Sequence, residues 1–283
     1  MRETKAEYLH IEKLHPFEGH PFKVADNEEM EQLVESIMTQ GVLTPLVVRS
    51  LESGEYEVIS GHRRLHACKR AGIESVPALI TEMDREAAAI ALVDSNLHRE
   101  HILPSEKAFA YKLKADAMKR YGKTNLGQVV PDYDSTRTTA VIGEANGESY
   151  KKVQRYIRLT NLIPGILQMV DDVRIALTPA VEISYLTNRE QRELLETMEC
   201  EDCTPSLSQA IQLKLLSQSG NLDIYTIFDI LTQRKPNQQE KISFRTDDVR
   251  KFFPKSYTTA QMQDVILRLL EGYQRQRQRS QER

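Results

Sequence analysis

The chain has 283 residues, with 38 Lys and Arg against 41 Asp and Glu and a net charge of -3. That length predicts two modest domains or two and a tail, and the charge excludes a globally basic protein, so nucleic-acid contact needs a local patch. No apolar run nears the roughly 18 residues that span a bilayer, and MRETKAEYLH has no secretory apolar core, so a cytoplasmic protein without membrane contact is expected.

Residues 1–25 read as irregular, broken by Pro16, Gly19 and Pro21. Asn27 is placed to cap a helix through Met30, Leu33, Val34 and Ile37, which Gly41 ends. Pro45–Arg49 and Tyr56–Ile59 read as two neighbouring strands around the turn Glu52-Ser53-Gly54. A helix from Gly61 to Arg70 and a strand at Val76–Ile80 follow. From Asp84 the pattern is helical, with a break near Ser95-Asn96 and a long helix from Pro104 to about Lys119. Residues 122–137 are polar and read as a mobile connection. Three or more helices reach about residue 217, and another spans Asp223–Leu231. Residues 235–240 form a linker, then come an apolar run at Ile242–Phe244 and a helix from Thr258 with a basic tail.

The expected fold is thus an α+β N-terminal domain over 1–115, an all-α domain over 116–232 and a small helical segment over 241–283. Three cysteines make no disulfide framework. Cys200 and Cys203 stand alone as a CxxC, short of the four ligands of a structural zinc site, and read as a helix-end coincidence.

Two stretches carry chemistry. The first is strand, Gly61, then Arg63 and Arg64 at a helix start. Glycine lets a ligand approach the backbone, free N–H groups and the helix dipole favour an anion, and arginine forks suit phosphate oxygens. The polar segment Ser95–Glu106 adds Asn96 as an oxygen ligand for Mg²⁺, Arg99 for a phosphate, and Glu106 as a helix cap or an arginine partner.

These residues lie in ordered segments: GVLTPLVV, ISGHRRLHACKRAG, VPALI and DSNLHREHILPSEKAFAY. Together they resemble the N-terminal domain of the ParB/Spo0J/Noc family, which reads GVLQPIVV, GERRxRAAKxAG, VPxxV and ENxQRxxLxPxExAxAY. The resemblance covers about residues 8–115. It implies a ParB/sulfiredoxin-like fold, CTP bound with Mg²⁺, and a homodimeric sliding clamp on double-stranded DNA with a partition ATPase as a further partner. Carried over residue by residue, Gly61, Arg63 and Arg64 meet the phosphates, Asn96 the metal and Arg99 the nucleotide. Ser36 and Gly41 match a second nucleotide-contacting turn. His62 and Ser95 belong to the same site but replace the family's glutamates, so binding is expected to outlast CTPase activity. Sulfiredoxin shares the fold and places a Cys directly before His-Arg. Gly61 stands there in this chain, and Cys68, two helical turns on, reads as a packed residue.

The second stretch, 138–160, fits a helix-turn-helix, extending the resemblance to about residue 200. Gly143 permits close helix contact, Gly147 turns the chain, and Ser149 caps the second helix. Val153, Tyr156, Ile157 and Thr160 share one face of that helix, while Lys151, Gln154, Arg155 and Arg158 share the other. With Tyr150 and Ser149, this basic face is the expected DNA contact, since Arg reads guanine and Gln reads adenine in the major groove. Asn146 and Glu148 stand where the motif commonly has apolar residues. Residues 101–158 hold eleven Lys and Arg against six Asp and Glu, a local +5. The helices after it, around Thr178-Pro179, read as a buttress, with Arg174 as a further phosphate contact.

In the C-terminal segment, Met262, Val265, Ile266, Leu269 and Leu270 form an apolar stripe that either docks on its own domain or joins a dimer. The leading expectation is a sequence-specific partition protein of a plasmid, chromosome or mobile element. A transcriptional regulator without clamp activity, and a nuclease or phosphotransfer enzyme on the same fold, are the alternatives.

Overall fold

A five-stranded mixed sheet organises the first third of the chain, in the order β1-β5-β3-β4-β2. The structure is a computed structural model that describes residues 5–99, 101–125, 135–232, 249–254 and 256–281. The strands are β1 (Lys5–His10), β2 (Leu14–Pro16), β3 (Leu46–Ser50), β4 (Tyr56–Ser60) and β5 (Ser75–Thr81). β3 pairs antiparallel with β4 across the Gly54 turn, with a register shift between Val47 and Val48, and pairs parallel with β5.

Successive side chains of a strand point to opposite faces, and the core splits accordingly. Leu46, Val48 and Val58 face one side, where they meet α1 (Glu28–Gln40) and α2 (His62–Arg70) through Met30, Ile37, Leu65 and Cys68. Val47 and Ile59 face the other, against α3 (Arg85–Asn96) and α4 (Pro104–Asn125). Cys68 is fully buried on the α1–α2 side, as expected of a packed residue.

The expectation of an irregular residues 1–25 is corrected, because β1, a 3-10 turn at Ile11–Lys13 and β2 lie there. β1 alternates an exposed Tyr8 with a buried Leu9, and its hydrogen-bonding partner β5 lies some 70 residues later, so no local signal marks it. The expected mobile connection at 122–137 is also shortened. α4 runs to Asn125 and α5 (Ser135–Ala145) starts at Ser135, leaving 126–134 outside the described residues. Gly122 lies within α4, where packing of the preceding turns outweighs a propensity cost of about 1 kcal/mol.

α4 joins three cores. Ala110 and Ala117 pack under the sheet, Tyr111 and Ala115 meet α5 and α6 (Tyr150–Leu159), and Ala108 reaches the last cluster. That last cluster is built from α7 (Pro164–Asp171), α8 (Leu177–Ile183), α9 (Asn188–Cys200), α10 (Leu207–Gln218) and α11 (Ile224–Thr232). Buried on several sides, α4 has no single apolar stripe.

The chain divides into two compact units, Met1–Gln233 and Arg234–Arg283. In the second, α12 (Thr259–Gln281) opens on a reciprocal cap between Thr258 and Gln261. Of its apolar stripe, Met262 is buried while Leu269 and Leu270 are open. The linker at 235–240 and the run Ile242–Phe244 lie outside the described residues. Among the described residues no helix is long and apolar enough to cross a membrane.

Candidate nucleotide and nucleic-acid sites

Gly61 starts α2 in the left-handed region, at φ 104°, and a Cβ there would stand 3.0 Å from Leu46 Cγ and 3.2 Å from the Arg64 guanidinium. Both the conformation and the space therefore require glycine. The next three side chains have different surroundings. His62 is 7% exposed. Its Nε2 accepts the Phe17 N–H at 3.4 Å, and the ring also bonds the Val58 backbone. Arg63 points to the surface and pairs with Glu29 at 3.0 Å. Arg64 donates to the carbonyls of Thr44 and Pro45, the latter at 2.8 Å, and so ties the loop before β3 to α2. Burial lowers its pKa.

His20 stacks on His62, with ring centroids 3.8 Å apart, and shares an aromatic corner with Phe22. Burial lowers the pKa of both imidazoles and pushes His62 down to about 3, assisted by His20 and Arg99. Arg99 lies over the Phe22 ring at 5.4 Å. Burial lowers its pKa, Glu106 opposes that, and Arg63 adds to it. Arg63 and Arg99 thus repel each other beside two neutral histidines, a field suited to an anion.

The remaining expected residues are less directly engaged. Ser95 Oγ donates to the Leu92 carbonyl at 2.9 Å. Asn96 is buried and its amide nitrogen donates to Leu92 and Ser95, which leaves Oδ1 for a metal. Among the described residues no three His, Cys, Asp or Glu side chains gather to hold a metal ion, and this includes Cys200 and Cys203. A Mg²⁺ ion at Asn96 therefore fits only as an ion held mainly by phosphates and water. Ser36 is exposed on α1 without a side-chain hydrogen bond, and Gly41 ends that helix at φ 72°. Glu106 accepts the N–H groups of Leu103 and Lys23, so it caps α4, as expected, and holds the 17–23 segment.

The second stretch is two helices and a tight turn. Gly143 is needed there, because a Cβ would stand 2.4 Å from the Glu148 carbonyl oxygen. Gly147 turns at φ 65°, and Ser149 caps α6 by accepting the Lys152 N–H. Glu148, an unexpected polar residue for this motif, has a structural reason. Its carboxylate, 9% exposed, accepts Lys107 at 2.6 Å, Tyr111 at 2.9 Å and Lys152 at 3.0 Å, fastening the turn to α4. Burial raises its pKa, but these three donors outweigh it and the net shift is downward.

The expected reading face is only partly free. Tyr150 and Lys151 are exposed. Gln154 reaches Thr139 at 3.5 Å. Arg155 bonds the Thr178 hydroxyl of α8. Arg158 bonds Ser184 Oγ and carbonyl at 3.0 and 2.9 Å and stacks on Tyr185, which Lys214 also approaches at 4.0 Å. Thr178 and Ser184 are thus the buttress, found on α8 and at its end. Arg174 pairs loosely with Asp202 at 3.8 Å. Residue spacing alone marked neither Glu148 nor the His20–Phe22 corner, since their partners are 37 to 45 residues away.

Residues 1–97 match the family model described as the ParB N-terminal domain. A probable chromosome-partitioning protein ParB of Vibrio cholerae is 28% identical over 260 residues, 86% of this chain and 83% of its own length. A nucleoid occlusion protein of Listeria monocytogenes is 31% identical over 192 residues, 68% of this chain and 61% of that protein. The N-terminal domain of the chain belongs to the ParB/Spo0J/Noc family.

Two ParB structures align with most of the chain at low superposition scores. A pNOB8-like ParB-N domain gives a TM-score of 0.47 at 18% identity, over 81% of this chain and 98% of that one. The C-terminally truncated ParB of Caulobacter crescentus complexed to the centromeric parS site gives 0.41 at 20% identity, over 81% and 100%. In this chain, the departures from the ParB pattern at His62 and Ser95 are both accommodated by backbone partners.

Proposed function

We propose that this chain is a sequence-specific DNA-binding partition protein whose N-terminal domain binds CTP with Mg²⁺ and closes a homodimeric clamp on DNA. The observation that carries the reading is the open positive field at the start of α2. Gly61 precedes the helix N-terminus, and Arg63 and Arg99 repel each other there, with the buried Glu106 offsetting only part of the Arg99 charge. Arg63 is the phosphate ligand, its pair with surface-exposed Glu29 being exchangeable. Arg64 shapes the site by holding Thr44 and Pro45. His62 supports it as a neutral wedge, which favours nucleotide binding without efficient hydrolysis.

The parts are a nucleotide domain over 1–115, a DNA-binding domain over 116–232 and a dimerising segment over 241–283, where Leu269 and Leu270 stand open. DNA meets the α5–α6 pair through Ser149, Tyr150, Lys151, Gln154 and Arg155, with Arg158 bracing the helix. The cargo is a plasmid, chromosome or mobile element, and a partition ATPase is the expected second partner. A nuclease reading lacks a carboxylate set for two metals among the described residues.

Calorimetry with each of the four nucleoside triphosphates, with Mg²⁺ and with or without DNA, tests the proposal. CTP is expected to bind selectively. Arg63→Ala should abolish that binding while nucleotide-free DNA binding persists. Absence of binding by all four triphosphates would remove the clamp reading and leave a DNA-binding regulator.

A further inference from the structure

A cleft of about 340 Å³ lies between α4, α5 and α6, apart from the nucleotide residues. Its volume is within the range of small-ligand sites. Positions 112, 115, 116 and 119 of α4 line one wall and positions 154, 157, 158 and 161 line the other. The first set, and 154, 157 and 158 of α6, follow the three-four spacing of a single helical face, and Asn161 lies just past the end of α6. The first two turns of α5 close the end with Thr138 and Thr139.

We propose that this cleft binds a phosphate-bearing oxyanion. Lys112 and Lys119 form no ion pair or hydrogen bond, although Asp116 lies within one turn of each. Arg158 lines the opposite wall with its guanidinium held on Ser184 and Tyr185, so three cationic residues and one carboxylate line the cleft, a net +2. Thr138 is 0% exposed and its hydroxyl has no hydrogen-bond partner. Buried hydroxyls are nearly always satisfied, and an oxyanion in the cleft gives this one an acceptor. Gln154 adds an amide to the same wall.

The oxyanion comes either as free phosphate or a small phosphate ester, or as a phosphodiester of bound duplex. The assignment stands whether or not α6 reads DNA.

Two measurements on the full chain decide it: thermal unfolding in inorganic phosphate against chloride at matched ionic strength, and duplex binding as a function of salt. Wild type is compared with Lys112→Ala/Lys119→Ala and with Thr138→Val, which is close in shape. Phosphate should raise the Tm of wild type by a few degrees, with the double variant unresponsive and Thr138→Val weakened. That pattern assigns a free oxyanion. An unresponsive Tm, with a salt slope shallower by about one to two in the double variant and weaker duplex binding by Thr138→Val, assigns the phosphodiester. Should the double variant not fold, Lys119→Gln carries the same comparison. Wild type and variants alike in both measurements would overturn the proposal. A chain that binds no duplex at all fails the preceding DNA reading, yet its phosphate response still decides this one.

Discussion

The start of α2 and the α5–α6 pair both carry arginines, and they hold them in opposite ways. At α2, Arg63 and Arg99 sit near two buried neutral histidines and repel each other, with an exposed Glu29 paired to Arg63 and a buried Glu106 acting on Arg99. At α5–α6, Glu148 gathers two lysines and a tyrosine hydroxyl, while Arg155 and Arg158 are bonded to hydroxyls of the α8 region. The first region keeps part of its positive potential available, as the proposed anion site requires. The second spends most of its charge on fixing a helix in place and leaves Tyr150 and Lys151 free at its tip. A basic residue in sequence therefore says nothing of whether its charge is available. Its partners decide that.

The largest effect expected from breaking this contrast is at Glu148. Glu148→Ala leaves Lys107 and Tyr111 without their acceptor and should cost about 2–3 kcal/mol, less than a fully buried pair because Lys152 is half exposed. Urea unfolding measures it, and a change below about 0.5 kcal/mol would show the cluster to be ornamental. Gly143→Ala comes next, at about 2 kcal/mol, since the methyl must displace the Glu148 carbonyl. DNA binding should fall with it, and unchanged unfolding would mean that the two helices do not cross so closely.

The third prediction concerns the neutral histidines. Folded His62 stays unprotonated down to about pH 3, whereas an unfolded imidazole takes a proton near pH 6.5. Between those values the unfolded chain binds more protons. Stability is thus full above pH 6.5 and declines as pH falls, by up to about 1.4 kcal/mol per unit. Urea midpoints from pH 7 to 5 should decline less steeply in His62→Gln, and equal slopes would place the ring in solvent. Smallest is Arg155→Ala, expected to weaken a cognate duplex about tenfold through a lost base contact. Its partner Thr178 should limit the gain from that contact, so Thr178→Ala is expected to change affinity less.

Much of the fold was legible because its signals are local. Asn27 and Asp84 cap α1 and α3, Ser149 caps α6, and β3, β4 and β5 stand within a residue or two of their β-branched runs. The glycine requirement at Gly143 was legible from a helix crossing, whereas Gly61 was read as room for a ligand and its left-handed φ and contact with Leu46 came from the structure. β1 was missed because half of its side chains face solvent and its partner is remote. The free or engaged state of Arg63, Arg64, Arg155 and Arg158 was equally out of reach, since Glu29, Thr44, Thr178 and Ser184 are 20 to 34 residues away.

By itself, the order of residues determined the helices, the turns and the two basic stretches, because caps, glycines and apolar spacing act over a few positions. Only the tertiary structure decided which cations stay available, because pairing, burial and repulsion depend on neighbours that folding brings in from distant segments.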